Sequence, residues 1–190
     1  MDTLRLSGNV NNIDELRREA KDLQKNGLPY MMSSVIVWGM VLGAQILATS
    51  FQNANLATFI CSAFMMPIAI LFSRILKTNI FKKTKNPVSK LGFLCTMNQN
   101  LYIPIAMLAC TFLPEAMLLI YAIIFGAHLL PFAWVYNCKA YTVVSIIEAV
   151  GAMFVSLFFG NVGIAAFIII MQIILVLLLF INARKEKILN

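Results

Sequence analysis

Apolar positions along the chain run in six long blocks, at about 29–50, 54–76, 89–113, 115–136, 140–159 and 161–183. Each block is near the roughly 20 apolar residues that a helix needs to cross a hydrocarbon core about 30 Å thick. The blocks are separated by Gln52-Asn53-Ala54-Asn55, a basic loop at 77–90, Leu113-Pro114-Glu115, Asn137-Cys138-Lys139 and Gly160-Asn161. These are short polar or Gly/Pro breaks of the kind that end helices. Ahead of them, Ile13, Leu16, Ala20 and Leu23 share one stripe of a helix predicted over 12–26, and charged residues cover the rest. Asn12 and Glu15 have capping-box spacing, Gly27 ends the helix and Pro29 starts the next segment. Residues 1–10 read as polar and loose. The pattern predicts an all-α polytopic membrane protein. A cytoplasmic segment (1–27) carries an amphipathic surface helix, a six-helix domain covers 28–183, and a short cytoplasmic tail covers 184–190.

Composition sharpens the class. Of 190 residues, 61% are hydrophobic and 12% charged. A soluble domain holds about 45–50% and about 25%. The charged helix before the first apolar block, with no small-residue cleavage site, excludes a signal peptide. Cys61, Cys95, Cys110 and Cys138 form no C-x-x-C pair, and His128 is the single histidine, so no metal site and no cofactor is expected.

Charge sets the orientation. Arg5, Arg17, Arg18, Lys21 and Lys25 precede the first block. Arg74, Lys77, Lys82, Lys83, Lys85 and Lys90 lie between the second and third, Lys139 between the fourth and fifth, and Arg184, Lys185 and Lys187 after the sixth. With six crossings all 15 fall on one side. That positive-inside pattern puts both termini in the cytoplasm. It also accounts for the +7 net charge without a nucleic-acid partner. Seven crossings would scatter the same bases over both sides.

The stretch from Leu16-Arg17 through Gly27-Leu28-Pro29-Tyr30 to Trp38 resembles a group of small bacterial multi-pass membrane proteins of uncharacterised function. The resemblance covers about 30 residues. It implies a six-helix protein of a bacterial inner membrane and carries over no site residue.

Polar side chains inside the blocks are the candidates for function. At 1.5 Å per residue, Glu148 lies roughly 13 Å into the fifth block, near mid-membrane. An intramembrane carboxyl group is a functional hypothesis by default. It shares a stripe with Tyr141, Ser145, Ala152 and Ser156. His128 sits among Tyr121, Phe125, Phe132 and Tyr136 at the same spacing, at a depth that allows a Glu148–His128 pair. The plainer alternative is that His128 bonds a carbonyl. Asn98, Gln99 and Asn100 stand near mid-depth in the third block, as does Gln172 in the sixth. Pro67, Pro104 and Pro131 each remove a helical N–H and predict kinks beside these residues. Such broken helices line wet cavities in transporters, or merely bend spans. Trp38, Tyr102 and Phe125 are expected as cavity walls. Trp134, Tyr136, Tyr30 and Tyr141 suit the inner aromatic belt, and Gly39 and Gly43 permit a close helix contact.

Three functions follow. The favoured one is a transporter or channel for a small solute or ion. Glu148 and His128 form its ion or proton site, and Asn98, Gln99, Asn100 and Gln172 act as solute ligands. The alternative is a membrane-embedded binding subunit or regulator of a larger complex, with a membrane partner or a second copy of the chain. An intramembrane enzyme is disfavoured, because no H-E-x-x-H, no G-x-S-x-G and no paired acidic motif occurs.

Overall fold

The computed structural model describes residues 2–78 and 85–189, with side chains over 12–78 and 85–184. Lys82 and Lys83 of the basic loop lie outside the described residues, as do the side chains of Arg5, Lys185 and Lys187. The described residues form helices and turns with no strand. In chain order they are α1 (Asp2–Gln24), a 3-10 turn (Lys25–Gly27), α2 (Leu28–Leu47), α3 (Phe51–Ala63), α4 (Met65–Ile75), α5 (Pro87–Phe112), α6 (Met117–Ala127), α7 (Leu130–Val135) and α8 (Lys139–Leu189). Among the described residues, four stretches are long and apolar enough to cross a membrane: Asn12–Leu47, Phe51–Ile75, Met117–Val135 and Lys139–Arg184. This fits a membrane location. The α5 helix is not among them, since Asn98, Gln99 and Asn100 dilute its apolar character.

The longest stretch folds back on itself. Gly160 holds φ 57°, ψ −157°, a region open only to glycine. Gln172 reaches Glu148 and Asn182 reaches Cys138, and both pairs lie symmetrically about Gly160. The two arms of α8, 139–159 and 161–189, are therefore antiparallel, and the expected break at Gly160-Asn161 falls where the chain turns.

Two of the three prolines coincide with helix breaks. Pro67 follows the α3–α4 break at Phe64. Pro131 follows the α6–α7 break at His128 and Leu129. In each case the ring leaves a carbonyl four residues earlier without its donor. Pro104 lies inside α5, which is helical from Pro87 to Phe112.

The N-terminal helix also differs from the reading of the sequence. It begins at Asp2, so Asn12 is interior rather than a cap, and it ends at Gln24. Lys25, Asn26 and Gly27 follow with positive φ and separate it from α2. The helix is seated on protein, with Ala20 fully buried. Arg17 Nε donates to the Trp134 carbonyl at 2.7 Å, and its guanidinium lies 4.8 Å from the Trp134 ring centre. Asn86 Nδ2 donates to the Leu16 carbonyl at 2.7 Å and to Glu19 at 2.9 Å. Lys25 donates to the Leu76 carbonyl. These contacts gather α1, the end of α4, the start of α5 and the end of α7 at one end of the bundle.

Candidate functional site

Two helices meet closely at the centre. A Cβ placed on Gly126 of α6 would sit 2.8 Å from Glu148 Cβ and 2.9 Å from the Ala149 backbone nitrogen. Only glycine allows that approach, and it presses Glu148 into the bundle, where its exposure is 0%. The polar stripe expected on this arm is buried from Tyr141 through Ser145 and Glu148 to Ala152.

Glu148 is the end of a short relay. Gln172 Nε2 donates to Glu148 Oε1 at 2.6 Å. Gln172 Oε1 lies 2.6 Å from the Ser34 hydroxyl, which is also 2.7 Å from the Met31 carbonyl. The hydroxyl has one proton and donates to one of the two at a time. Glu148 Oε2 is buried with no partner. Gln172 is fully buried, so the relay is dry up to Ser34.

Ser34 opens onto a cavity of about 240 Å³ enclosed by α2, α3–α4, α5 and α6–α7. Its polar wall includes Ser34, Ser62, Thr96, Gln99, Asn100 and His128, and its apolar wall includes Met31, Met65, Met66, Met97 and Phe125. Gln24 and Gly27 close one end, where Tyr136 Oη donates to Gln24 Oε1 at 2.5 Å and Tyr141 Oη donates to the Asn26 carbonyl. Among the described lining residues none is charged.

His128 caps α6, with Nδ1 against the Phe125 carbonyl. A carbonyl only accepts, so in the neutral ring Nδ1 carries the proton and Nε2 keeps its lone pair. Phe125 and Phe132 flank the ring, with centroids 5.2 and 6.1 Å away.

A second feature lies outside this cavity. Leu94, Asn98, Leu101 and Tyr102 of α5 face Ile124, Ala127, Leu130 and Pro131 across a surface groove of about 950 Å³. Met97, Asn100 and His128 line both groove and cavity.

The expected residues thus divide. Gln99, Asn100, His128 and Phe125 line the cavity. Asn98 and Tyr102 lie in the groove, joined at 3.2 Å. Trp38 is core rather than cavity wall, fully buried against Tyr121 and Phe125 at 5.7 and 5.3 Å. Gln172 touches Glu148 and Ser34 rather than the cavity. Among the described residues no hydrogen bond or ion pair joins Glu148 to His128, whose carboxyl and ring bond Gln172 and Phe125 instead. Gly39 and Gly43 of α2 make no close pass, since a Cβ on either would meet nothing within 4 Å.

Ser34 and Gly126 were not singled out by the sequence. Ser34 is signalled by its place between Tyr30 and Trp38, four residues from each on one face of α2. Gly126 carries no such signal, because a tight pass depends on the partner helix.

Among the comparisons with known proteins, no curated protein and no solved structure matches the chain. A family model does match, over residues 13–182, which takes in every helix of the bundle and the whole site. The chain belongs to that family, DUF7010, a family of unknown function.

Proposed function

We propose that the protein is a six-helix membrane protein that carries or conducts a small solute or ion through the central cavity. The six crossings are α2, α3–α4, α5, α6–α7 and the two arms of α8. The bases gathered beside α1, α4, α5 and α8 favour both termini in the cytoplasm of a plasma membrane, the inner membrane of a bacterium. α5 tolerates its amides as a crossing because Gln99 and Asn100 face the cavity.

One observation carries the reading. A cavity with an uncharged, partly polar lining lies in the bundle and connects, through Ser34 and Gln172, to a buried carboxyl with one unpartnered oxygen. Ser34, Gln99, Asn100 and His128 hold the solute. Glu148 is the proton or cation site, and Gln172 transmits its state to Ser34. Buried ionisable groups at this depth mark ion pathways and proton relays.

The test is a small-solute screen by thermal shift on detergent-purified protein, beside Ser34→Ala and Glu148→Gln. A ligand at 100 times its Kd adds about 2.7 kcal/mol of stability. The expected result is a shift that weakens in Ser34→Ala and loses its pH dependence in Glu148→Gln. A ligand whose shift is the same in all three proteins overturns the reading. Saturable binding with no flux in proteoliposomes transfers it to the binding subunit of a larger complex.

A further inference from the structure

We infer that the cavity is loaded sideways, from within the bilayer, and that its ligand is an amphipath with an uncharged hydrogen-bonding head and an apolar tail. This rests on the cavity reading above and names the class of solute.

The argument starts from α5. Asn98 and Asn100 lie roughly 18 Å along the helix from Pro87, near the middle of a hydrocarbon core. Both are exposed, and Leu101 beside them is 73% exposed. An amide facing acyl chains loses its water partners; Asn98 recovers one bond, to Tyr102, and Asn100 stands at the border of groove and cavity, so each keeps hydrogen-bonding capacity to spare. Glue between helices does not explain them, because among the described residues neither amide bonds another helix and both stay exposed beside the groove. A ligand that brings its own polar group does explain them.

The groove supplies the shape. Leu94, Leu101 and Leu130 offer an apolar track along its outer part. Its inner end is formed by Met97, Asn100 and His128, which are also wall of the central cavity. These three side chains therefore stand between groove and cavity, where α5 faces the α6–α7 break. An amphipath lying in the groove places its tail on the leucines and its head at that junction.

The chemistry of the junction selects the head. Asn100 offers both a donor and an acceptor, and His128 Nε2 accepts because Nδ1 is held by the Phe125 carbonyl. A hydroxyl or amide satisfies both. Among the described residues of groove and cavity none is charged, so a carboxylate or phosphate head finds no counter-ion. The methionine Met97 gives the passage an adaptable wall.

The probe is a photoreactive, clickable analogue of hexadecanol, applied to the full-length protein in nanodiscs. Labelled peptides are mapped, with hexadecanol and hexadecanoate as competitors. The expected result is saturable labelling within 94–101 or 123–131, competed by hexadecanol about tenfold better than by hexadecanoate. Asn98→Leu with Asn100→Leu should weaken it about tenfold, since each lost hydrogen bond is worth a fraction to a full decade. That pair makes α5 more apolar and so does not oppose insertion. Leu101→Trp fills the groove and should abolish labelling.

Labelling that rises in proportion to probe without saturation overturns the inference. So does efficient cross-linking between copies through Cys95, which lines the groove, in a variant keeping that cysteine alone. That result would place a second copy over α5. A water-soluble ligand that shifts the wild type but not Ser34→Ala, with no saturable hexadecanol site, sinks sideways loading and leaves the cavity reading intact. Saturable hexadecanol in the groove that is indifferent to Ser34→Ala overturns both the cavity reading and the loading of the cavity, and leaves a groove site alone.

Discussion

The seam between α6 and the first arm of α8 and the outer edge of α5 are both helix surfaces, and they are built in opposite ways. Along the seam, Leu118, Ala122, Phe125, Gly126, Glu148 and Ala152 are buried, and backbone lies against backbone. Along α5, Leu94, Leu101, Leu108 and Phe112 are more than half exposed. Without a hydrophobic drive between helices in lipid, small residues that admit close approach supply the association. The seam has them, whereas the outer edge of α5 presents leucine and phenylalanine and keeps its small residues, Ser89, Gly92, Ala106 and Ala109, on the buried side. The difference teaches that the bundle is rigid around Glu148 and loosely closed around Asn100, which puts the adjustable wall of the cavity on the α5 side.

The sharpest break of that contrast is at Gly126. A methyl group there would meet the Ala149 backbone nitrogen at 2.9 Å, so the helices must move apart. Gly126→Ala should destabilise by about 1–3 kcal/mol, as overpacking does, and Gly126→Leu should abolish the folded state. Gly39→Ala meets nothing within 4 Å and should instead stabilise, by up to about 1 kcal/mol from helix propensity. Thermal unfolding of the three variants in one detergent measures this. Equal stabilities for Gly126→Ala and Gly39→Ala would show that the seam is not tight.

The relay gives the next effect. Gln172→Leu removes the donor from Glu148 Oε1 and the acceptor from Ser34, leaving both Glu148 oxygens without partners. The expected loss is about 1–3 kcal/mol. Glu148→Gln retains an acceptor for Gln172 and should cost less than about 1 kcal/mol, while removing the charge that the proposed function needs. If Glu148→Gln were as damaging as Gln172→Leu, the carboxyl would be serving the fold rather than the proposed ion or proton site.

A smaller effect is expected where α1 closes the cavity. Tyr136→Phe deletes the hydroxyl that donates to Gln24. It should lower stability by about 1 kcal/mol and leave the ring stacked on Phe132, 5.9 Å away. Faster proteolysis near residue 25 than in the wild type, with the bundle intact, would be the signature of a released α1.

How much of this was legible follows from what each feature depends on. The break at Gly160-Asn161 was legible because breaks are local, and Gly160 is the non-helical residue inside α8. The burial of Glu148 was legible from its stripe, since one face of a helix is fixed by spacing alone. Its partner was not. Equal depth admitted both His128 and Gln172, and the choice was made by the hairpin about Gly160, which registers 148 against 172. The loose reading of residues 1–10 failed because polarity was taken as a lack of structure, although α1 begins at Asp2. Gly39 and Gly43 misled for a related reason. Small residues permit a close pass but do not create one.

The smallest effect belongs to the outer edge of α5. Leu108→Ala and Phe112→Ala truncate side chains that are 60% and 74% exposed, so little packing within the chain is lost. In detergent each should change stability by less than about 0.5 kcal/mol, the range of surface substitutions. A buried leucine of the seam, Leu118, should lose about 2–5 kcal/mol on the same truncation. The pair of measurements compares the two regions directly. Repeating the α5 variants in nanodiscs separates lipid from protein as the neighbour of this edge. A loss above about 2 kcal/mol that appears only in the bilayer, and that depends on protein concentration, would mean that another copy covers α5 there. A small, concentration-independent change would mean that the edge meets acyl chains, the condition under which an amphipath can reach Asn100 from the side.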